Sequence, residues 1–320
     1  MNSSVVVVTG GVGGAKLALG LERILPHGSL TIVVNTGDDF DHLGLRICPD
    51  IDTTLYTLSG LANRELGWGR QDESWHFMET LEALGGDAWF NLGDRDLALH
   101  VLRTRALASG QTLSGFTAGV ADRLGISARI LPATDDRVAT EVATNEGTLA
   151  FQDYFVRLRC QPIVSSLAYR GAELAAPAPG VLEALSDPNL AMIIIAPSNP
   201  YLSIEPILAI PGIRQALLKR SVPAIAVTPV IQGEAVKGPT AKIMSELGVQ
   251  PSALTVAQHY DGLIDGFLLD TRDASLLGEL PMAGAMADTL MQTLEDRERV
   301  ARAALALGHS LNSGTGEKAP

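Results

Sequence analysis

Five carboxylates, Asp38, Asp39, Asp41, Asp50 and Asp52, fall within fifteen positions of this 320-residue chain. They lie in the stretch N-T-G-D-D-F-D-H-L-G-L-R-I-C-P-D-I-D at residues 35–52. Acids in that density suit a hard cation, and magnesium beside phosphate is the usual guest; the bland alternative is a solvated, turn-forming Asp loop. The run Pro49-Asp50-Ile51-Asp52-Thr53-Thr54 opens a predicted helix ending near Ser59. Capping and the helix dipole explain one of Asp50 and Asp52, not both. Asp39 and Asp50 are candidates to orient an attacking hydroxyl or accept its proton.

Other candidates could hold an anion. Thr9-Gly10-Gly11-Val12-Gly13-Gly14-Ala15-Lys16 stands between an apolar run and a helical pattern. Gly11, Gly13 and Gly14 let the backbone approach a phosphate, and Lys16 adds charge. Neither G-x-G-x-x-G nor G-x-x-x-x-G-K-[ST] is satisfied, so neither dinucleotide nor P-loop chemistry is specified. In L-G-D-R-D, Asp94 is placed to cap a helix predicted over residues 97–108, and Arg95 is electrostatically out of place in its first turn. That suggests a phosphate or carboxylate contact for Arg95, with a local Asp–Arg pair as the alternative. His100 is a further candidate, whereas Trp68 and Trp75 are expected to pack. Ser198 and Asn199 in A-P-S-N-P offer hydrogen bonds, and Lys237 and Gly238 precede a helix from Thr240.

The elements that must position these residues alternate between strand and helix. Apolar runs at residues 5–8, 30–34, 128–131, 191–196, 224–227 and 263–269 read as buried strands. The candidate loops follow strands, where open α/β sheets bind ligands. Residues 138–156 read as an antiparallel hairpin turning at Asn145-Glu146-Gly147. The expectation is an α/β, Rossmann-like, mostly parallel sheet with helices on both faces and an inserted antiparallel hairpin. It forms one domain over residues 1–307, with the insertion at about 132–185. Residues 283–307 read as one amphipathic helix, and the polar tail 308–320 is expected to be disordered.

A net charge of -12 argues against binding a nucleic-acid backbone, and an anionic substrate would need a cation or backbone N–H groups. The two cysteines, Cys48 and Cys160, form neither a metal spacing nor a disulfide framework. No apolar run reaches membrane-spanning length and no signal-peptide pattern opens the chain, so a cytoplasmic protein is expected.

Taken in order, T-G-G-V-G-G-A-K, N-T-G-D-D, R-I-C-P-D-I-D-T, L-G-D-R-D, A-P-S-N-P and V-K-G-P-T resemble the 2-phospho-L-lactate transferase family of deazaflavin coenzyme F-420 biosynthesis. The resemblance implies a Rossmann-like, usually dimeric enzyme that requires magnesium. It would move a phosphorylated three-carbon acid from a guanosine diphosphate carrier to a hydroxyl of the deazaflavin Fo, releasing GMP. The acid would be of the 2-phospholactate, phosphoenolpyruvate or 3-phosphoglycerate type. The family's metal-binding acids fall on Asp38 and Asp52, and its Fo-contacting positions on Asp52 and Asn91; archaeal members commonly carry Lys at the latter. Two rivals remain. One is a non-enzymatic nucleotide-sugar-binding regulator of the gluconeogenesis-factor type, similar in its glycine stretch and its S-N-P and K-G-P loops. The other is a dinucleotide-dependent oxidoreductase, weakened by the missing third glycine.

Overall fold

A computed structural model describes residues 3–63, 68–235 and 238–314. Its frame is a seven-stranded parallel sheet of β1 (Ser4–Thr9), β2 (Leu30–Val34), β3 (Arg129–Pro132), β4 (Leu190–Ile195), β5 (Ala224–Val227), β6 (Gly266–Asp270) and β7 (Ala283–Ala287). The spatial order is β7-β6-β5-β4-β1-β2-β3, every neighbouring pair parallel. Strands covered on both faces read as unbroken apolar runs, which is why Val5 to Val8 and Met192 to Ile195 are all buried. Alternation divides them: Val6, Val8, Ile193 and Ile195 enter one core layer, and Val5, Val7, Met192 and Ile194 the other.

The helices that bear on the site are α1 (Gly11–Ile24), α2 (Pro49–Leu58), α3 (His76–Ala83), α4 (Asp96–Ala108), α5 (Leu113–Arg123) and α6 (Leu294–Gly314). Leu17 and Leu21 of α1, Ile51 and Leu55 of α2, and Val300 and Ala304 of α6 cover one sheet face. Val181 and Leu185, Ile213 and Leu217, and Val256 and Ala257 cover the other. Each such side chain taken fully out of water contributes about 1.5–3 kcal/mol when it is Val, Leu or Ile. Helix α1 crosses α6 with the backbones in contact, since a Cβ on Gly20 would lie 2.2 Å from the Arg297 carbonyl oxygen.

From β1 the chain runs outward through β2 and β3, then returns to β4 on the other side of β1. The reversal makes the carboxyl ends of β1 and β4 the switch point, where doubly wound sheets open a ligand crevice.

The structure corrects three expectations. The inserted antiparallel piece is a three-stranded sheet, with Ala139–Thr144 between Gly147–Ala150 and Val164–Arg170. Its second strand stops at Ala150, and residues 151–157 are helical because Phe151 and Tyr154 turn into a small core with Val142, Val164, Leu202 and Ile243. The single helix expected at 283–307 is instead β7 followed by α6. Ala283 and Gly284 are small enough to lie against the turn below them, where a Cβ on Gly284 would meet Leu277 Cδ1 at 2.5 Å. Helix α6 runs on to Gly314 rather than ending at Leu307, with Gly308 against Met192 and Leu311 packed on the core. Residues 315–320 of the expected tail lie outside the described residues. Among the described residues no helix is long and apolar enough to cross a membrane.

Candidate active site

At the switch point the glycine stretch proves to be the first turn of α1 rather than a loop before it. Its glycines answer to close packing. A Cβ on Gly13 would sit 2.5 Å from the Pro197 carbonyl oxygen, and one on Gly14 1.6 Å from Thr9 Oγ1. Gly11 has a φ of +67°. Ser198 fastens the two strand ends, its Oγ donating to the Gly10 carbonyl at 2.7 Å and accepting from Gly10 N at 3.2 Å. The Gly11 N–H donates to the carboxylate of Asp50, so an acid caps the positive end of α1.

The acid floor lies alongside. Buried Asn35, at the end of β2, donates from Nδ2 to Asp50 Oδ2 at 3.0 Å and accepts from Gly37 N at Oδ1 at 2.8 Å. The tight turn Thr36–Asp39 then delivers Asp38 and Asp39 inward. Both are buried; Asp38 Oδ1 has no hydrogen-bond partner, and Asp39 has none to nitrogen or oxygen, although Arg46 Nη2 stands 3.9 Å from its Oδ2. Burial lifts the Asp38 carboxyl well above the ordinary range; Asp50 and Asp39 add to the lift and Asn35 opposes it. Burial also pushes Asp39 up to about 7, against Arg46 and the Cys48 thiol. Asp50 is raised to about 6 by burial, opposed by Asn35 and Gly11. Carboxylates stripped of water and left without partners are costly. This donor set fits a hard divalent cation.

Asp52, two residues further along α2, faces a second set of partners. Buried Arg103 of α4 grips both its oxygens, and Nη1 also reaches the Arg46 carbonyl at 3.2 Å. His100 Nδ1 is 3.7 Å from Asp52, and His100 Nε2 is 3.3 Å from Asp96, which accepts a short hydrogen bond from Tyr56. Burial alone would lower the Arg103 pKa, but Asp52 keeps it charged. Asp52, Asp96 and His100 offer ligand atoms within 4.8 Å of one another, but Asp52 is already neutralised by Arg103. Asp38 stands with Asp50 and Asp39, and Asp52 with Arg103, while Asp39 also feels the charges of Asp52 and Arg103.

The remaining candidates are scattered around this centre. Asn199 accepts at Oδ1 from Tyr201 N and Leu202 N, while its buried Nδ2 has no partner. Lys16 donates to the Met291 carbonyl at 2.8 Å, tying α1 to the segment before α6. Asn91 is exposed and lines a cavity of about 340 Å³ with Trp75, Met78, Glu79, Glu82 and Ala88. Asp94 does not cap α4: its carboxylate accepts from His76 N, Phe77 N and Ser74 Oγ at the start of α3. Glu73 caps α4 in its place, accepting from the backbone of Arg95 and Asp96. Arg95 faces Asp72 at 3.8 Å, both largely exposed. Asp41 is a surface acid paired with Arg137 at 2.8 Å, as the bland reading has it. Lys237 lies outside the described residues, and Gly238 takes a left-handed turn with φ +73°. The roles of Asn35, Tyr56 and Arg103 were missed from sequence. Only Arg103 left a trace, as the third member of the helical stripe Asp96, His100, Arg103.

A π-helical turn, Pro200–Ile204, borders the acid floor, its Leu202 carbonyl accepting from Asn35 Nδ2 at 3.4 Å, and such turns concentrate at functional sites. The model of the 2-phospho-L-lactate transferase CofD family matches residues 5–299. The chain belongs to this family. A phosphoenolpyruvate transferase of Streptomyces coelicolor is 43% identical over 316 residues, covering 96% of this chain and 98% of the relative. One from Thermobifida fusca is 42% identical over 311 residues, covering 93% and 94%. A solved UPF0052-family protein from Bacillus halodurans shares the fold, with a TM-score of 0.62 at 16% identity over 95% of this chain and 99% of that one. Membership of the CofD family makes the chain a transferase of coenzyme F-420 biosynthesis and sets the oxidoreductase reading aside.

Proposed function

We propose that this CofD-family chain transfers an enolpyruvyl phosphate from a guanosine diphosphate carrier to a hydroxyl of Fo. The names of the Streptomyces and Thermobifida relatives favour the phosphoenolpyruvate-type donor over the 2-phospholactate and 3-phosphoglycerate types. The observation that carries the reading is the group of buried carboxylate oxygens without hydrogen-bond partners on Asp38 and Asp39, beside the sheet's switch point.

In the proposed step the Fo hydroxyl oxygen attacks the phosphorus that bears the three-carbon acid. A phosphodiester bond forms, the bridging P–O bond breaks, and GMP leaves with its electron pair. Such a displacement depends on placement and charge neutralisation more than on a covalent nucleophile. Magnesium, held by Asp38 and Asp50, would neutralise the diphosphate. Asp39, whose Oδ1 faces no cation and whose Oδ2 is 3.9 Å from Arg46, accepts the hydroxyl proton. The start of α1 and the unpaired Nδ2 of Asn199 offer N–H groups to phosphate oxygens. Asp52 is held on both oxygens by Arg103, and we assign it to the acceptor side, where it orients the deazaflavin with Asn91. A homodimer is part of the same proposal.

The test is GMP release from a guanylylated three-carbon phosphate. The reading requires that release depend on both Fo and magnesium. Tight nucleotide binding with no GMP release would favour the regulator of the gluconeogenesis-factor type.

A further inference from the structure

We propose that Gln152 is a positioning residue for the acid floor, acting as the tip of a clamp formed by the inserted three-stranded lobe. Gln152 is buried where the strand Gly147–Ala150 gives way to the helical turn, and its Nε2 donates to the main-chain carbonyl of Asp38 at 3.1 Å. A second contact from the same lobe lies one residue earlier, where Thr140 N donates to the Gly37 carbonyl at 2.8 Å. The fit is close: a Cβ on Gly37 would meet Pro206 Cβ at 2.8 Å and Thr140 Oγ1 at 2.9 Å.

The turn needs this help. Within Thr36–Asp39 the backbone bond is Asp39 N to Thr36 O at 3.2 Å, and this one long bond must hold a turn that carries two buried acids. A donor on the Asp38 carbonyl fixes the peptide between the two acids and therefore the direction of both side chains. Gln152 can supply that donor because its neighbours Phe151 and Tyr154 are anchored in the lobe's own apolar core. Packing alone would accept an apolar side chain of the same length, so the amide serves the turn.

This inference rests on the proposed cation site at Asp38. Groups that orient ligands from behind the first contact layer commonly change metal affinity 10- to 100-fold when removed. The experiment is calorimetric titration of the metal-free full chain with magnesium, comparing wild type, Gln152→Met and Thr140→Val. Gln152→Met keeps the volume and loses the donor, and should weaken magnesium binding about tenfold or more. Its kcat should recover at high magnesium while the KM for Fo stays unchanged. Thr140→Val keeps the backbone N–H and should bind magnesium nearly as wild type does. Wild-type affinity in Gln152→Met overturns the inference and leaves the cation site standing. An equal loss in Thr140→Val also overturns it, since general loosening of the lobe would then explain both. A wild-type protein that binds no magnesium overturns the cation site and this inference together.

Discussion

Arg103 holds Asp52 with both guanidinium nitrogens, Nη2 on Oδ1 and Nη1 on Oδ2 at 3.1 Å, and both residues are buried. Removing one partner of such a pair strands a charge in the core, whereas removing both costs far less. Arg103→Met should therefore lower unfolding free energy by about 3–5 kcal/mol in urea. Asp52→Asn in the same background should return much of that loss. Additive losses in the double variant would contradict the pairing.

The acid floor gives the metal-free protein an unusual pH response. Asp39 is raised to about 7 and Asp50 to about 6, so between about pH 4 and 7 the folded state binds more protons than the unfolded chain. Stability contributed by these groups must then fall as pH rises through that window, opposite in sign to a salt-bridged carboxylate. The melting temperature of metal-free wild type relative to Asp39→Asn should decline from pH 5 to pH 7.5. Magnesium should stabilise more at the higher pH and release protons on binding. A wild-type difference that grows with pH would rule this out.

Asp39→Asn should separate stability from activity. It replaces a buried carboxylate lacking hydrogen-bond partners with a neutral amide at the cost of its 3.9 Å approach to Arg46, and at pH 8 the metal-free protein should lose no stability. GMP release should fall about 10²- to 10⁴-fold, the usual worth of a proton-transfer group. Unchanged turnover would remove Asp39 from the proton path.

Glu73 and Asp94 cap each other's helices: Asp94 serves α3, which follows Glu73, and Glu73 serves α4, which follows Asp94. Replacing either with Ala should lower the melting temperature, and the two losses should not add. Substrate KM should move little. A raised KM in Asp94→Ala with no loss of stability would restore the direct substrate role that the L-G-D-R-D motif suggests.

Much of the frame was legible in sequence because parallel strands buried on both faces must be apolar throughout, as Val5 to Val8 are. The acid floor was legible because carboxylates after β2 have no place in a core. What escaped depended on contacts between distant segments. β7 is written in Ala, Gly and Met, which suit a helix equally well until β6 supplies hydrogen bonds and a close neighbour. Arg103 sits among leucines, and only its spacing from Asp96 and His100 marks a polar stripe. Gln152 reaches a carbonyl 114 residues away, and no local pattern encodes that. Sequence places Asp94 as the cap of the helix it precedes, but the fold crosses the two caps.

The central claim is tested most directly by mass spectrometry of the product formed from Fo, magnesium and each of three guanylylated donors, carrying 2-phospholactate, phosphoenolpyruvate or 3-phosphoglycerate. The account predicts a phosphodiester of Fo with the enolpyruvyl group, formed with one GMP per product and lost in Asp38→Asn. No Fo adduct from any donor, or equal yield from the Asp38→Asn variant, would contradict it.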